Sequence, residues 1–429
     1  MHAMLLWLAL FLVPQAGAAS SPSTGARELQ VVVGSPAFKA AAAALDRDFD
    51  RHVADTIRLT EIPSPPFKES ERAKVYADLF RQHGLADVEI DTAGNVLGLR
   101  RGTAAVHGAR PLVAIAAHLD TVFPEGTNVK VRRDGTKLFA PGVGDDTRSL
   151  AVLLALMRAM DAAAIQTRAD ILFVGDVGEE GLGDLRGMKY LFNTGTYAGK
   201  ISAFISADGT GPGSTIVTGA TGSKRYHVAF KGPGGHSYGD FGIVSPAFAM
   251  GNAMKKFGAL SVPASPKTTF SVGVVGGGTS VNSIPFETWM DVDMRSESRD
   301  ELNKLDAAFK TLVAAAVTEE NAARSTANGK ITADLTLVGD RPSGQTPASS
   351  RLAEIASASA RAFGLTPHLV YSSTDANIPI SLGIPAITLD AGGTSDRAHS
   401  LDEWIDVEKP SALRGMQIML ATLVTLAGM

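Results

Sequence analysis

The chain has 429 residues, 45% hydrophobic and 20% charged, with a formal net charge of −4. That length exceeds one ordinary hydrophobic core and predicts two domains, the composition is globular rather than disordered, and the charge gives no basis for binding nucleic acid or an anionic membrane. Cysteine is absent, which excludes disulfides, thiolate metal sites and a Cys nucleophile and leaves His, Asp and Glu to hold any metal.

Residues 1–18 combine the apolar run Met4 to Val13, the breaker Pro14 and the triplet Ala16-Gly17-Ala18. This is the layout of a secretory signal peptide, shorter than the ~20 residues that span a bilayer. It predicts an exported, periplasmic or secreted product with no membrane attachment once mature. A small-residue linker over 19–27 leads to a helical segment over 39–85, broken at Pro63-Ser64-Pro65-Pro66. The continuous apolar run 111–117 reads as a buried strand and ends on His118-Leu119-Asp120. A helix is expected from about Thr147, just after Asp145-Asp146, with Leu150, Leu153, Leu154 and Met157 on one face. Runs 171–174 and 201–205 read as further buried strands, followed by Glu179-Glu180 and by Asp208. Strands alternating with helices predict an α/β fold: a mixed, largely parallel sheet with helices on both faces. Functional residues of such sheets gather beyond the carboxyl ends of the strands, where His118, Glu179, Glu180 and Asp208 all stand.

The pattern changes between residues 222 and 341. Strands are expected over 224–230, 268–275, 287–294 and 331–338, with helices over 245–257 and 300–321. Their order, β-α-β-β-α-β, is a ferredoxin-like unit able to fold as an inserted domain. The main sheet then resumes with a helix over 350–363 and strands around Leu369 and Ile387, reaching His399. The organisation expected is therefore a catalytic domain from 28–221 and 342–429, interrupted by an insert over 222–341.

Two imidazoles and several carboxylates, without sulfur, are the ligand chemistry of a hydrolytic two-metal centre. Each piece alone has an ordinary explanation. Glu179-Glu180 suits a solvated surface, Ser206-Ala207-Asp208-Gly209 a strand-to-turn element, His399 a loop, and Gly232-Pro233-Gly234-Gly235-His236 a hairpin turn. Their shared order is more specific. His118-Leu119-Asp120-Thr121-Val122, Gly144-Asp145-Asp146, Glu179-Glu180-Gly181, Asp208, Gly234-Gly235-His236-Ser237 and Ala398-His399-Ser400-Leu401-Asp402-Glu403 together resemble the M20 family of co-catalytic zinc peptidases and deacylases, over nearly the whole mature chain.

The resemblance implies two divalent metal ions, zinc or else cobalt or manganese. His118 and His399 would be terminal ligands of the two ions, Asp145 would bridge them, and Glu180 and Asp208 would complete the sets. Asp120 would accept from the His118 ring, and Glu179 would be the general base for the attacking water. The Asp145-Asp146 bond is often cis in similar proteins. His236 would stabilise the oxyanion in the active site of a partner subunit, which implies a homodimer through the inserted lid domain. Asn282 and Arg295 resemble substrate-contacting positions, and a guanidinium suits a substrate carboxylate. The substrate implied is a short peptide cut by an exopeptidase or di/tripeptidase, or an N-acyl amino acid cut by a deacylase. A catalytically silent binding or assembly protein is the rival from another class, and retention of Glu179 and every ligand speaks against it. One departure stands out: Asp146-Thr147-Arg148-Ser149 replaces the Lys-Gly that follows the bridging aspartate in many relatives, which leaves the subfamily open.

Overall fold

The computed structural model describes residues 23–104 and 110–429. The expected signal peptide lies outside the described residues. An uninterrupted apolar strand must be covered on both faces, and strand Leu112–His118 is buried at every residue. Its side chains alternate between two cores. Val113, Ile115 and Ala117 pack with helices Thr147–Ala162 and Lys409–Leu426. Leu112, Ala114 and Ala116 pack with helices Arg186–Asn193 and Asn377–Ser381 on the opposite face.

Among the described residues the main sheet has nine strands. Asp170–Asp176, Leu112–His118, Ile201–Ala207 and Ala386–Leu389 run parallel at its centre. Val96–Arg100 and Thr215–Ala220 flank them antiparallel. The parallel register pairs His118 with Asp176, and Ala116 with Ser206. It thereby brings His118, the loop after Asp176 and the loop after Ala207 to one edge of the sheet.

The insert consists of strands Gly222–Lys231, Thr268–Gly277, Glu287–Ser296 and Thr332–Arg341 with helices Pro246–Gly258 and Arg299–Ala323. Burial alternates residue by residue along Glu287–Ser296, so one sheet face packs on both helices around Phe230, Phe257, Met290 and Phe309. The four strands are antiparallel, with Glu287–Ser296 and Gly222–Lys231 in the middle. That is the β-α-β-β-α-β unit expected from the sequence.

Two expectations are corrected. Residues 24–27 of the expected linker belong to helix Thr24–Gly34, whose cap Ser23 accepts from the Ala26 N–H through its side chain. The helical segment over 39–85 comprises Pro36–Arg47, Phe49–Thr60 and Ser70–Gln82, with an extra break at Asp48 that neither Gly nor Pro marks. A small sheet of three-residue strands, Arg132–Asp134, Lys137–Phe139, Thr394–Asp396 and Trp404–Asp406, was not expected. It ties the turn before Asp145 to the loop bearing His399. Among the described residues no helix is long and apolar enough to cross a membrane.

Candidate metal centre

His118 is the last residue of its strand, and its backbone N–H donates to Asp146 Oδ2 at 3.1 Å. Its Nδ1 lies 3.0 Å from the Asp120 carbonyl oxygen, which can only accept, so Nδ1 carries a proton and Nε2 is the nitrogen turned toward the cleft acids. Nε2 lies 3.0 Å from Asp145 Oδ1, while Asp145 Oδ2 lies 3.0 Å from His399 Nε2. His399 Nε2 is also 2.9 Å from Glu180 Oε1. One carboxylate thus spans two imidazoles, one oxygen to each.

The expected role of Asp120 is corrected. Its carboxylate is 3.7 Å from His118 Nδ1, beyond hydrogen-bond range, and the backbone carbonyl orients the ring instead. The carboxylate accepts from three successive N–H groups, of Gly178 at 2.9 Å, Glu179 at 3.1 Å and Glu180 at 2.9 Å. It shapes the loop that carries both glutamates. That loop turns at Gly178, whose φ of 73° lies in the left-handed region that favours glycine. The two glutamates diverge from there. Glu180 faces His399, and Glu179 Oε1 accepts from Arg341 Nη1 at 2.9 Å.

A second brace shapes the turn bearing Asp145. Glu403, the last residue of the string around His399, is buried and accepts from the N–H groups of Gly142 at 2.7 Å, Gly144 at 2.8 Å and Asp145 at 3.1 Å. A side chain at Gly144 would collide with Ile405 at 2.8 Å. The Asp145–Asp146 peptide is cis. Beyond it, the Thr147 hydroxyl donates to the Gly142 carbonyl at 2.7 Å, and Arg148 is buried against His52. The departure from Lys-Gly therefore serves the core, not the cleft. Because Glu403 braces the turn of the candidate ligand Asp145, Glu403→Ala is expected to weaken metal affinity about 10–100-fold, measured by competition with a chromogenic chelator. Unchanged affinity would show that the turn holds its shape alone.

Asp208 follows strand Ile201–Ala207 and lines the same cleft as Asp145, Glu179, Glu180 and His399, a cavity of about 440 Å³. Arg295 lines it too, its Nε donating to Asp293 Oδ2 at 2.6 Å. His236 and Asn282 do not line this cleft. Their two segments pair as a separate exposed antiparallel ribbon, where the Ser237 N–H donates to the Asn282 carbonyl at 3.0 Å. His236 Nδ1 accepts from the N–H groups of Tyr238 at 3.3 Å and Gly239 at 3.2 Å, which leaves Nε2–H as an outward donor. Arg225 and Arg341 also line the cleft and were not foreseen, since no local motif announces them. A larger cavity of about 670 Å³ opens between Pro111, Ser202 and Gly428, at the other ends of the strands, and holds none of the converging acids or imidazoles.

The donor set fits divalent cations. Ligand atoms of His118, Asp145 and Glu180 lie within 4.8 Å of one another, and so do those of His118, Asp146 and Asp208. Asp146 is the poorer ligand, because its oxygens already accept from the His118 and Gly209 N–H groups. Burial, with the nearby Asp145 and Glu180 charges, pushes Asp208 up to about 7. Burial likewise raises Glu179 well above the usual carboxylate range, although Arg341 opposes it. Hydrogen bonds to Asp145 and Glu180 lift His399 to about 10. Burial opposes a charge on His118, but Asp145, Asp146 and Asp120 together outweigh it and hold that imidazole well above its ordinary value. The buried acids thus attract positive charge at the two places where the imidazoles point.

Residues 114–425 match the model of peptidase family M20/M25/M40, more than half of the chain. No curated protein matches the chain. Among solved structures, a tripeptidase from Staphylococcus aureus is similar at 21% identity and a TM-score of 0.71, covering 88% of this chain and 98% of that one. A di-peptidase from Saccharomyces cerevisiae is 16% identical with a TM-score of 0.70, covering 91% and 98%. A dinuclear metal-binding peptidase from Bacillus subtilis is 17% identical with a TM-score of 0.63, covering 88% and 97%.

Proposed function

The chain belongs to peptidase family M20/M25/M40, and from that premise we propose that it is a two-metal exopeptidase or di/tripeptidase that hydrolyses the amide bond of short peptides. The observation that carries the reading is Asp145 set between His118 and His399, 3.0 Å from each. His118, Asp145, Glu180, Asp208 and His399 would hold two ions. An imidazole-and-oxygen set accepts zinc, and also cobalt or manganese. Such ions supply Lewis-acid polarisation of the scissile carbonyl and a lowered pKa for the attacking water.

The chain's own groups do the rest. Glu179 takes the proton from the water and returns it to the leaving nitrogen, a task favoured by the upward push of burial on its pKa. Arg295, which lines the cleft, receives the substrate carboxylate. His236 donates from Nε2 to the developing oxyanion. Since His236 does not line the cleft of its own chain, the proposal includes a homodimer in which the inserted domain delivers it to the partner. Inactive His236→Ala mixed with inactive Glu179→Gln is then expected to regain activity after subunit exchange. No recovery despite proven exchange would place the histidine within one subunit.

Export of the mature chain belongs to the same proposal, supported by the run Met4 to Val13 and the small residues after Pro14. The metal-loaded protein should turn over di- or tripeptides faster than N-acetyl amino acids. The reverse order would make it a deacylase.

A further inference from the structure

The loop carrying Glu179 and Glu180 is held from two sides. Beneath it, the Asp120 carboxylate gathers the N–H groups of Gly178, Glu179 and Glu180. Above it, the inserted sheet makes three separate attachments. Arg341, the last residue of strand Thr332–Arg341, donates through Nη1 to Glu179 Oε1 at 2.9 Å and through Nη2 to the Glu179 carbonyl. Arg225 donates through Nη1 to the Gly181 carbonyl at 2.6 Å. The Asp340 N–H donates to Asp184 Oδ1 at 2.9 Å.

We infer that Arg341, Arg225 and Asp184 are positioning residues through which docking of the inserted domain sets where the Glu179 carboxylate points. The inference rests on Glu179 being the base. Arg341 grips one side-chain oxygen and one backbone oxygen of the same residue, which fixes the side chain relative to its own backbone. A planar guanidinium can do that and a point-like ammonium cannot. The guanidinium is itself fixed, buried to 4% exposure with Nη1 also donating to Ser373 Oγ at 3.1 Å. Arg225 is braced in turn by Asp293, 3.1 Å from its Nε. The loop needs such holding. Asp184 and Leu185 adopt φ of 54° and 58°, a left-handed conformation costly for residues other than glycine that persists only where surroundings impose it. Arg341 is also where the chain leaves the insert, so a shift of the inserted sheet acts on Glu179 directly.

Arg341→Ala, Arg341→Lys and Asp184→Ala in the metal-loaded full chain test this, with kcat and KM on the best peptide and ions per chain as readouts. A misplaced base lowers kcat, so Arg341→Ala should lose about 100-fold and Asp184→Ala about 10-fold, with KM within about threefold and metal content unchanged. Arg341→Lys should regain part of the loss. Asp184 is partly exposed and outside the cleft lining, so it carries the test if Arg341→Ala does not fold. Unchanged kcat would overturn the inference. So would a rise in KM alone, which marks a substrate contact, or loss of metal, which marks a structural role. If Glu179→Gln is active, it is the assignment of the base that fails.

Discussion

Replacing Glu179 with Gln is expected to lower kcat by about 10²–10⁴-fold while the protein still binds two ions. The amide keeps the shape and an oxygen for Arg341, whose Nη1 lies 2.9 Å from Oε1, but it cannot take a proton from water. Burial matters to the size of the effect, because it raises the pKa of Glu179 and makes its carboxylate a better proton acceptor. The neighbouring Glu180→Gln should behave oppositely and lose metal, since its Oε1 faces His399 at 2.9 Å. Metal loss from Glu179→Gln but not from Glu180→Gln would reverse the two roles.

Removing the ions should abolish hydrolysis, and it should change how stability depends on pH. With no cation to balance it, Asp208 has a folded pKa of about 7 against an ordinary carboxylate value near 4, owing to burial and to Asp145. The folded state then binds more protons between those values, so stability falls as pH rises from 4 to 7. His399, lifted to about 10 by Asp145 and Glu180, contributes stability that is full below about 6.5 and lost toward pH 10. Both groups push in one direction. Metal binding grows over the same range as the ligands lose protons. The gap in Tm between metal-loaded and chelated protein should therefore widen from pH 5 to pH 9. A gap that narrows would contradict the ligand assignment.

Much of this was legible in the residues. Continuous apolar runs ending at His118, before Glu179 and before Asp208 announced buried parallel strands, because only a strand covered on both faces tolerates them. The insert was equally readable, since Glu287–Ser296 alternates in burial as it alternates in polarity. What escaped detection lacks a local signal. The three-residue strands around Lys137–Phe139 and Trp404–Asp406 are too short to show a period. The helix break at Asp48 has no breaker residue to mark it. Arg341 lies 162 residues from Glu179, and Glu403 lies 259 from Gly144, so neither contact could be seen before the chain was folded. The Asp120 correction is of another kind. A His-x-Asp spacing places the acid near the ring, but it does not say whether side chain or backbone accepts the proton.

Titrating chelated protein with zinc while following both bound metal and peptide hydrolysis tests the two-metal centre most directly. Activity should rise and saturate at two ions per chain in the wild type, and Asp145→Ala should bind metal poorly at both positions. Hydrolysis at full rate in the chelated protein, or saturation without metal at His118 and His399, would contradict it.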